Sequence, residues 1–177
     1  MDYKILVDTR EKEIKHIIEK FDKNKIPYEF TTIKTGDYLI KNLDKNEVYN
    51  SIAIERKADL NELINNLLDR NSIKEITVNG ETKKLNRFYR ELERSKEQNI
   101  KLIIIIEDEN FYYNMLKGNY KSNTNINSLK GMLMSLEAKY PNINIVGINK
   151  NCSASYINAT LYYNLRQHLK ISNQTGF

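Results

Sequence analysis

The chain is predicted to fold as an α/β domain built on a mixed sheet, and three patterns in its sequence predict it. Apolar segments of strand length alternate with segments whose apolar residues recur every three or four positions, as in a sheet covered by helices. Leu102 to Ile106 is apolar throughout, which suits a central, parallel strand buried on both faces. Ile14, Ile17, Ile18 and Phe21 near one end, and Ile157, Leu161, Leu165 and Leu169 near the other, mark one-sided helices. The 177 residues are enough for one domain with a real core. Residues 1–170 are expected to form it, with 171–177 as a flexible tail.

The elements follow in order. Lys4 to Val7 reads as a short strand ending at Asp8. Glu13 to about Asn24 reads as a helix, closed by Pro27. Tyr28 to Ile33 alternates as a strand. Tyr38 to Ile40 and Ser51 to Ile54 are two further strands, joined by an expected polar hairpin loop over Asn42 to Asn50. Asp59 opens a helix with Leu60, Leu63, Ile64, Leu67 and Leu68 on its apolar face, and a carboxylate there favours the positive end of the helix dipole. Asn79-Gly80 between Ile76–Val78 and Thr82–Leu85 predicts a small surface hairpin. Asn86 caps a helix to about Gln98. The Leu102–Ile106 strand follows, then a short helix from Phe111 to Leu116 and a polar loop from Lys117 to Asn125. Ile126 to Tyr140 is a helix stopped by Pro141, Ile143 to Ile148 is a strand, and Ser153 caps the last helix.

Composition narrows the class of function. Apolar content is 40% and the formal charge is +5, which favours a polyanionic partner. The single cysteine, Cys152, excludes an internal disulfide and fits a reducing compartment. The start Met1-Asp2-Tyr3-Lys4 has no signal-peptide pattern. The longest apolar run, Leu102 to Ile106, falls far short of the roughly 20 residues of a membrane helix. A cytoplasmic, nucleic-acid-associated protein is expected. His16 and His168 lie on helices without ligand-like spacing and are expected to pack or face solvent.

The stretch from Gly36 to Asp59 carries the chemistry. Gly36 gives Asp37 a tight entry to one strand, and Glu55, Arg56 and Lys57 end the next. Side chains alternate along a strand, so Glu55 and Lys57 share a side and Arg56 takes the other. If the strands pair, Asp37 and Glu55 converge. Two carboxylates together need a hard cation between them, and oxygen ligands suit Mg²⁺ or Mn²⁺. Lys57 alongside can orient a water or stabilise charge on a phosphate.

Gly36-Asp37 followed by Glu55-Arg56-Lys57, with Val7-Asp8-Thr9-Arg10-Glu11 upstream, resembles the signature of the XPF-type (xeroderma pigmentosum group F) nuclease domain, within the PD-(D/E)XK group. The motifs agree in order and spacing over roughly residues 4 to 148. The resemblance implies a restriction-endonuclease-like fold and metal-dependent hydrolysis of a DNA phosphodiester, releasing a 3′-hydroxyl and a 5′-phosphate. It implies Asp37, Glu55, Lys57, Asp8 and Glu11 as catalytic residues. Asp37, Glu55, Asp8 and the backbone carbonyl of Arg56 are the implied ligands of Mg²⁺, which Mn²⁺ can replace. Arg10 would contact a phosphate. The family's acid four residues after the lysine is Asn61 here, and Asp59 lies two residues earlier.

Binding residues are expected on a basic helix face and a basic loop. Arg87, Arg90 and Arg94 fall at i, i+3 and i+7, where they form either a phosphate-tracking stripe or a solvated face stitched by Glu91, Glu93 and Glu97. The family places an arginine at the start of this helix, which favours Arg87. Lys117, Tyr120 and Lys121 form a basic loop with an aromatic. No helix-hairpin-helix pattern of the kind relatives add is expected after residue 150, so branched-DNA preference would come from the nuclease domain, another protein, or a homodimer through the leucines of Asn158 to Leu169. The leading expectation is an endonuclease for branched, flap or junction DNA in recombination, replication or repair. The alternatives are a non-catalytic DNA-binding partner of another nuclease subunit, and a nicking or restriction-like nuclease.

Overall fold

A computed structural model describes residues 1–78 and 80–174. The chain forms two compact units, one of residues 1–55 with the segment from Asn151 onward, the other Arg56–Lys150. A six-stranded sheet and a separate two-stranded sheet account for all strands among the described residues.

In the first unit, β1 (Tyr3–Asp8) is buried from Ile5 to Asp8. α1 (Lys15–Lys23) buries Ile17 and Phe21. It begins two residues after the expected Glu13, because Glu13 has a φ of 55°, which no right-handed helix contains. β2 (Tyr28–Thr31) lies parallel to β1, with Ile5 opposite Tyr28. A parallel return needs a crossover, and α1 supplies it. β2 stops two residues short of the expected Ile33. β3 (Tyr38–Asn42) runs antiparallel on the other side of β1.

The long strand β4 (Glu47–Lys57) corrects the expected loop over Asn42 to Asn50. The connection is only residues 43–46, and Asn42 organises it by accepting from the amides of Asp44 at 2.9 Å and Lys45 at 3.4 Å. The outer half of β4 is exposed, so it carries no apolar pattern, yet its backbone pairs Glu47 with Asn42 and Tyr49 with Ile40. The register then jumps, so that Tyr38 faces Ile54. The extra residues on β4 form a bulge that bends the strand just before its buried end.

The second unit starts on the last residues of β4. α2 (Leu60–Leu68) is capped reciprocally: Asp59 accepts from the Glu62 amide at 2.8 Å, and the Glu62 carboxylate accepts from the Ala58 amide at 2.8 Å. It buries Leu60, Leu63, Ile64 and Leu67, whereas Leu68, expected on that face, is 39% exposed. β5 (Lys74–Val78) and β6 (Glu81–Leu85) form the predicted hairpin as the two-stranded sheet. Asn79 of its expected turn lies outside the described residues. α3 (Arg87–Glu97) is capped by Asn86, which accepts from the Tyr89 amide at 3.0 Å.

β7 (Lys101–Ile106) is buried from Leu102 onward, as its apolar run predicts. α4 (Phe111–Lys117) takes in Lys117, which was expected in the adjoining loop. α5 (Ile126–Lys139) buries Leu129, Leu133 and Leu136. β8 (Ile143–Gly147) pairs in parallel with β7, Leu102 opposite Ile143. A Cβ at Gly147 would stand 2.4 Å from the Phe111 ring and 2.7 Å from the Asp108 carbonyl, so only glycine admits the start of α4 there. Glu93, expected on a solvated face, is buried: it accepts from the Tyr140 hydroxyl at 2.8 Å and pairs with Lys139 at 3.0 Å. Burial, reinforced by the hydrogen bond to Glu93, pushes the Tyr140 phenol far above its ordinary value.

The chain returns to the first unit through a 3₁₀ turn at Lys150–Cys152 and ends in α6 (Ser153–Gln174). Ile157, Leu161 and Leu165 are buried, and Leu169 is half-buried. The leucine face considered for a dimer is therefore mostly core. Residues 171 to 174 continue α6, and residues 175 to 177 of the expected tail lie outside the described residues. Strand order in the main sheet is β2-β1-β3-β4-β7-β8. No helix among the described residues is long and apolar enough to cross a membrane.

Candidate active site

β1 ends at Asp8, β3 begins just after Asp37, and β4 runs on two residues past Glu55. Val7 of β1 pairs with Tyr38 of β3, and Tyr38 pairs with Ile54 of β4. The next residue outward on each strand is an acid: Asp8, Asp37 and Glu55. The backbone ties this end closed. The Asp8 amide donates to the Asp37 carbonyl at 2.8 Å, and the Asp37 amide donates to the Ile54 carbonyl at 2.7 Å. Asp37 is half-buried and Glu55 is buried, 7% exposed.

Gly36 makes this approach possible. Its φ is +78°, and a Cβ there would lie 2.9 Å from the Ala53 Cβ and 3.0 Å from the Ile54 carbonyl. Gly36→Ala is therefore expected to cost about 1–3 kcal/mol, through the left-handed backbone and the displaced β4. Urea unfolding measures it; a change near zero would mean that the start of β3 is not constrained.

Asp8 is committed to hydrogen bonds. One carboxylate oxygen accepts from the Arg10 amide at 2.7 Å and from Arg10 Nε at 2.8 Å. The other accepts from Arg10 Nη2 at 2.9 Å and from the Ile33 amide at 2.7 Å. Arg10 Nη2 also donates to the Ile33 carbonyl at 2.6 Å, so the guanidinium is fixed while its side chain stays 56% exposed. The Glu11 amide closes the turn onto the Asp8 carbonyl at 3.1 Å. Burial pushes the Asp8 carboxyl up, but the Arg10 side chain and the two amides outweigh it and hold it below the usual carboxylate value.

A depressed folded-state value stabilises the fold above the unfolded value and loses that contribution as pH falls through the folded one. Asp8→Asn should thus be clearly less stable than the parent at neutral pH, and the gap should narrow at about pH 3. Denaturant melts at both pH values measure this. A gap that widens in acid would contradict it.

The second unit holds the residues that come after Glu55. Arg56 Nη1 donates to Glu107 at 2.9 Å, with the two side chains 4% and 0% exposed. Arg56, expected on the opposite side from Glu55 and Lys57, thus pairs with Glu107, a residue its sequence position gave no reason to single out. Lys57 is 4% exposed as a residue; its Nζ lies 3.7 Å from Glu62 and 5.7 Å from the centre of the Phe88 ring. Glu62 is the acid that sequence reasoning missed. The signal was the Asp59-x-x-Glu62 spacing at the helix start, which a capping reading explains and which turns Glu62 toward the strand end. Asp59 is the helix cap, and Asn61 accepts from the Lys121 amide at 2.7 Å.

Of the expected binding residues, Arg10 belongs to the first unit and the others to the second. On α3, Arg87 is exposed, and Arg90 Nη1 donates to the Ser72 carbonyl at 3.1 Å. Lys117 ends α4 and Lys121 is exposed in the loop beyond it. His168, expected to pack or face solvent, is exposed and has its ring 4.8 Å from the Tyr49 ring, centre to centre.

The sequence profile of the ERCC4 domain matches residues 7–160. The chain belongs to the ERCC4 domain family. No curated protein sequence matches it. Among solved structures it is similar to XPF from Aeropyrum pernix, with a TM-score of 0.62 and 17% identity over 97% of this chain and 69% of that one. It is also similar to XPF from Aeropyrum pernix in complex with DNA, with a TM-score of 0.60 and 18% identity over 94% of this chain and 66% of that one. The likeness establishes the XPF nuclease fold predicted from the motifs. Together the ERCC4 domain and this fold support a DNA nuclease.

Proposed function

We propose that this ERCC4-domain protein is a divalent-metal-dependent endonuclease that hydrolyses DNA phosphodiesters in branched, flap or junction DNA. The observation that supports the reading is the backbone pairing that sets Asp37 against β4: its amide donates to the Ile54 carbonyl, and Glu55 is the next residue of the chain. Among the described residues no group of three or more His, Cys, Asp and Glu side chains is set to hold a metal. Mg²⁺ does not need one, since it commonly keeps several waters and binds through one or two carboxylates plus substrate phosphate. Asp37, Glu55 and the backbone carbonyl of Arg56 fit that demand. When bound, the ion would supply a water of lowered pKa and neutralise phosphate charge.

The protein groups have distinct tasks in this reading. Lys57 orients the attacking water and faces the phosphate, and Glu62 holds the Lys57 ammonium in place. Asp8, whose two oxygens accept four hydrogen bonds, fixes Arg10 and would add its charge beside the ion's site. Arg10, rigid and exposed, contacts a phosphate, and Glu11 stands behind the turn. Arg87, Arg90, Lys117 and Lys121 hold the DNA backbone. The complex of XPF with DNA supports the class of substrate. A DNA substrate is the reason to expect the protein to work inside the cell.

Labelled duplex, flap, fork and four-way-junction DNA incubated with Mg²⁺, Mn²⁺ or EDTA tests the proposal. Cleavage of a branched substrate with either metal, and none in EDTA, is expected. Binding without cleavage on every substrate would replace the enzyme by a DNA-binding partner subunit.

A further inference from the structure

From Asn110 to Leu136 the chain holds no aspartate or glutamate, in a protein with 23 of them. The same stretch carries Lys117, Lys121 and Lys130, all on α4, the loop after it, or α5. It also carries the most exposed aromatics of the second unit. Tyr113 is 59% exposed and Tyr112 46%, and Leu116, one turn further along α4, is 41% exposed. Lys117 Nζ lies 5.9 Å from the centre of the Tyr113 ring. Large rings kept in water beside lysines, without an acid in the segment, are an unusual use of surface for a residue type that normally packs.

The loop after α4 is fixed, and it is fixed to the helix that serves Lys57. Tyr120 donates its hydroxyl to the Thr124 carbonyl at 2.8 Å, and the Lys121 amide donates to Asn61 at 2.7 Å. Asn61 immediately precedes Glu62, which pairs with Lys57 at 3.7 Å. Within this unit the helix whose Glu62 pairs with Lys57 is therefore hydrogen-bonded to the loop that follows α4.

We propose that Tyr112, Tyr113, Lys117 and Lys121 form the binding surface for an unpaired strand of the DNA substrate. The inference rests on the nuclease reading for its choice of nucleic acid and extends it to the substrate's single-stranded arm. Rings can stack on bases only where the base faces are open, which a duplex does not offer. Lys117 beside Tyr113, and Lys121 in the loop that follows, meet the phosphates of that strand, and the acid-free stretch leaves nothing in it to repel them.

Fluorescence anisotropy in EDTA tests this with a labelled single-stranded oligonucleotide and its duplex, so that binding is read whether or not the chain cleaves. The double variant Tyr112→Ala/Tyr113→Ala should bind the single strand roughly tenfold more weakly, with duplex affinity changed less than about twofold. Tyr113→Phe should bind as the parent does, since it keeps the ring. The pair Lys117→Ala/Lys121→Ala should flatten the salt dependence of single-strand binding. In the parent protein, 2-aminopurine in the strand should be quenched on binding. Equal losses on both DNAs, no loss on either, or no quenching overturns the proposal. Binding that behaves as expected in a chain that never cleaves sinks the nuclease reading alone, and cleavage with unaltered binding by the tyrosine variant sinks this inference alone.

Discussion

Asp37→Asn, Glu55→Gln and Lys57→Ala are each expected to lower DNA cleavage by about 10³-fold or more, the scale of removing a metal ligand or a charge at the reacting phosphate. The effect should fall on the chemical step. DNA affinity in EDTA should stay near that of the parent, because none of the three is the main holder of the backbone in this account. Asp37 is half-buried at the start of a strand, so its isosteric change should leave the melting temperature within a few degrees. Glu62→Gln should act through Lys57: cleavage falls less than in Lys57→Ala, and its pH profile moves. Single-turnover cleavage with a melt of each variant decides this. Parent-like cleavage in any one variant would remove that residue from the mechanism.

The largest loss of stability is expected from breaking the Arg56–Glu107 pair. Both side chains are almost wholly removed from water, and their bond is 2.9 Å long. Taking away one member removes the buried countercharge the other is held against, which costs about 3–5 kcal/mol. Arg56→Met and Glu107→Leu should each lose on that scale, while the double variant should recover much of it, since an apolar pair carries no desolvation penalty. Urea unfolding of the four proteins completes the cycle. Single variants within about 1 kcal/mol of the parent, or additive losses, would mean that the pair does not hold β4 in place.

Much of this was legible in the sequence where a single periodicity dominates. Leu102–Ile106 could only be a two-face-buried strand, and Asp59 and Asn86 announce helix starts because their side chains cap the first turns of α2 and α3. The strand ends carrying Asp8, Asp37 and Glu55 were legible because charged residues directly abut apolar runs. The features that escaped were decided by the partner strand or by a distant residue. The exposed half of β4 has no pattern of its own and is set by its ladder to β3 and by the bulge. Nothing next to Glu107 in the chain marks it, and only Arg56, 51 residues away, makes it a buried partner. Glu93 sat in a charged helix pattern, yet Tyr140 and Lys139 draw it inside. Asp8 was legible as a strand-end acid, but not the turn that gives its oxygens to Arg10 and the Ile33 amide.

The central claim is that Asp37 and Glu55 together hold one divalent cation. Isothermal titration of Mn²⁺ into the DNA-free protein, beside Asp37→Asn and Glu55→Gln, tests it most directly. Saturable uptake by the parent, lost in both variants at unchanged melting temperature, is the predicted result. No uptake by the parent, or equal uptake by all three proteins, would contradict it.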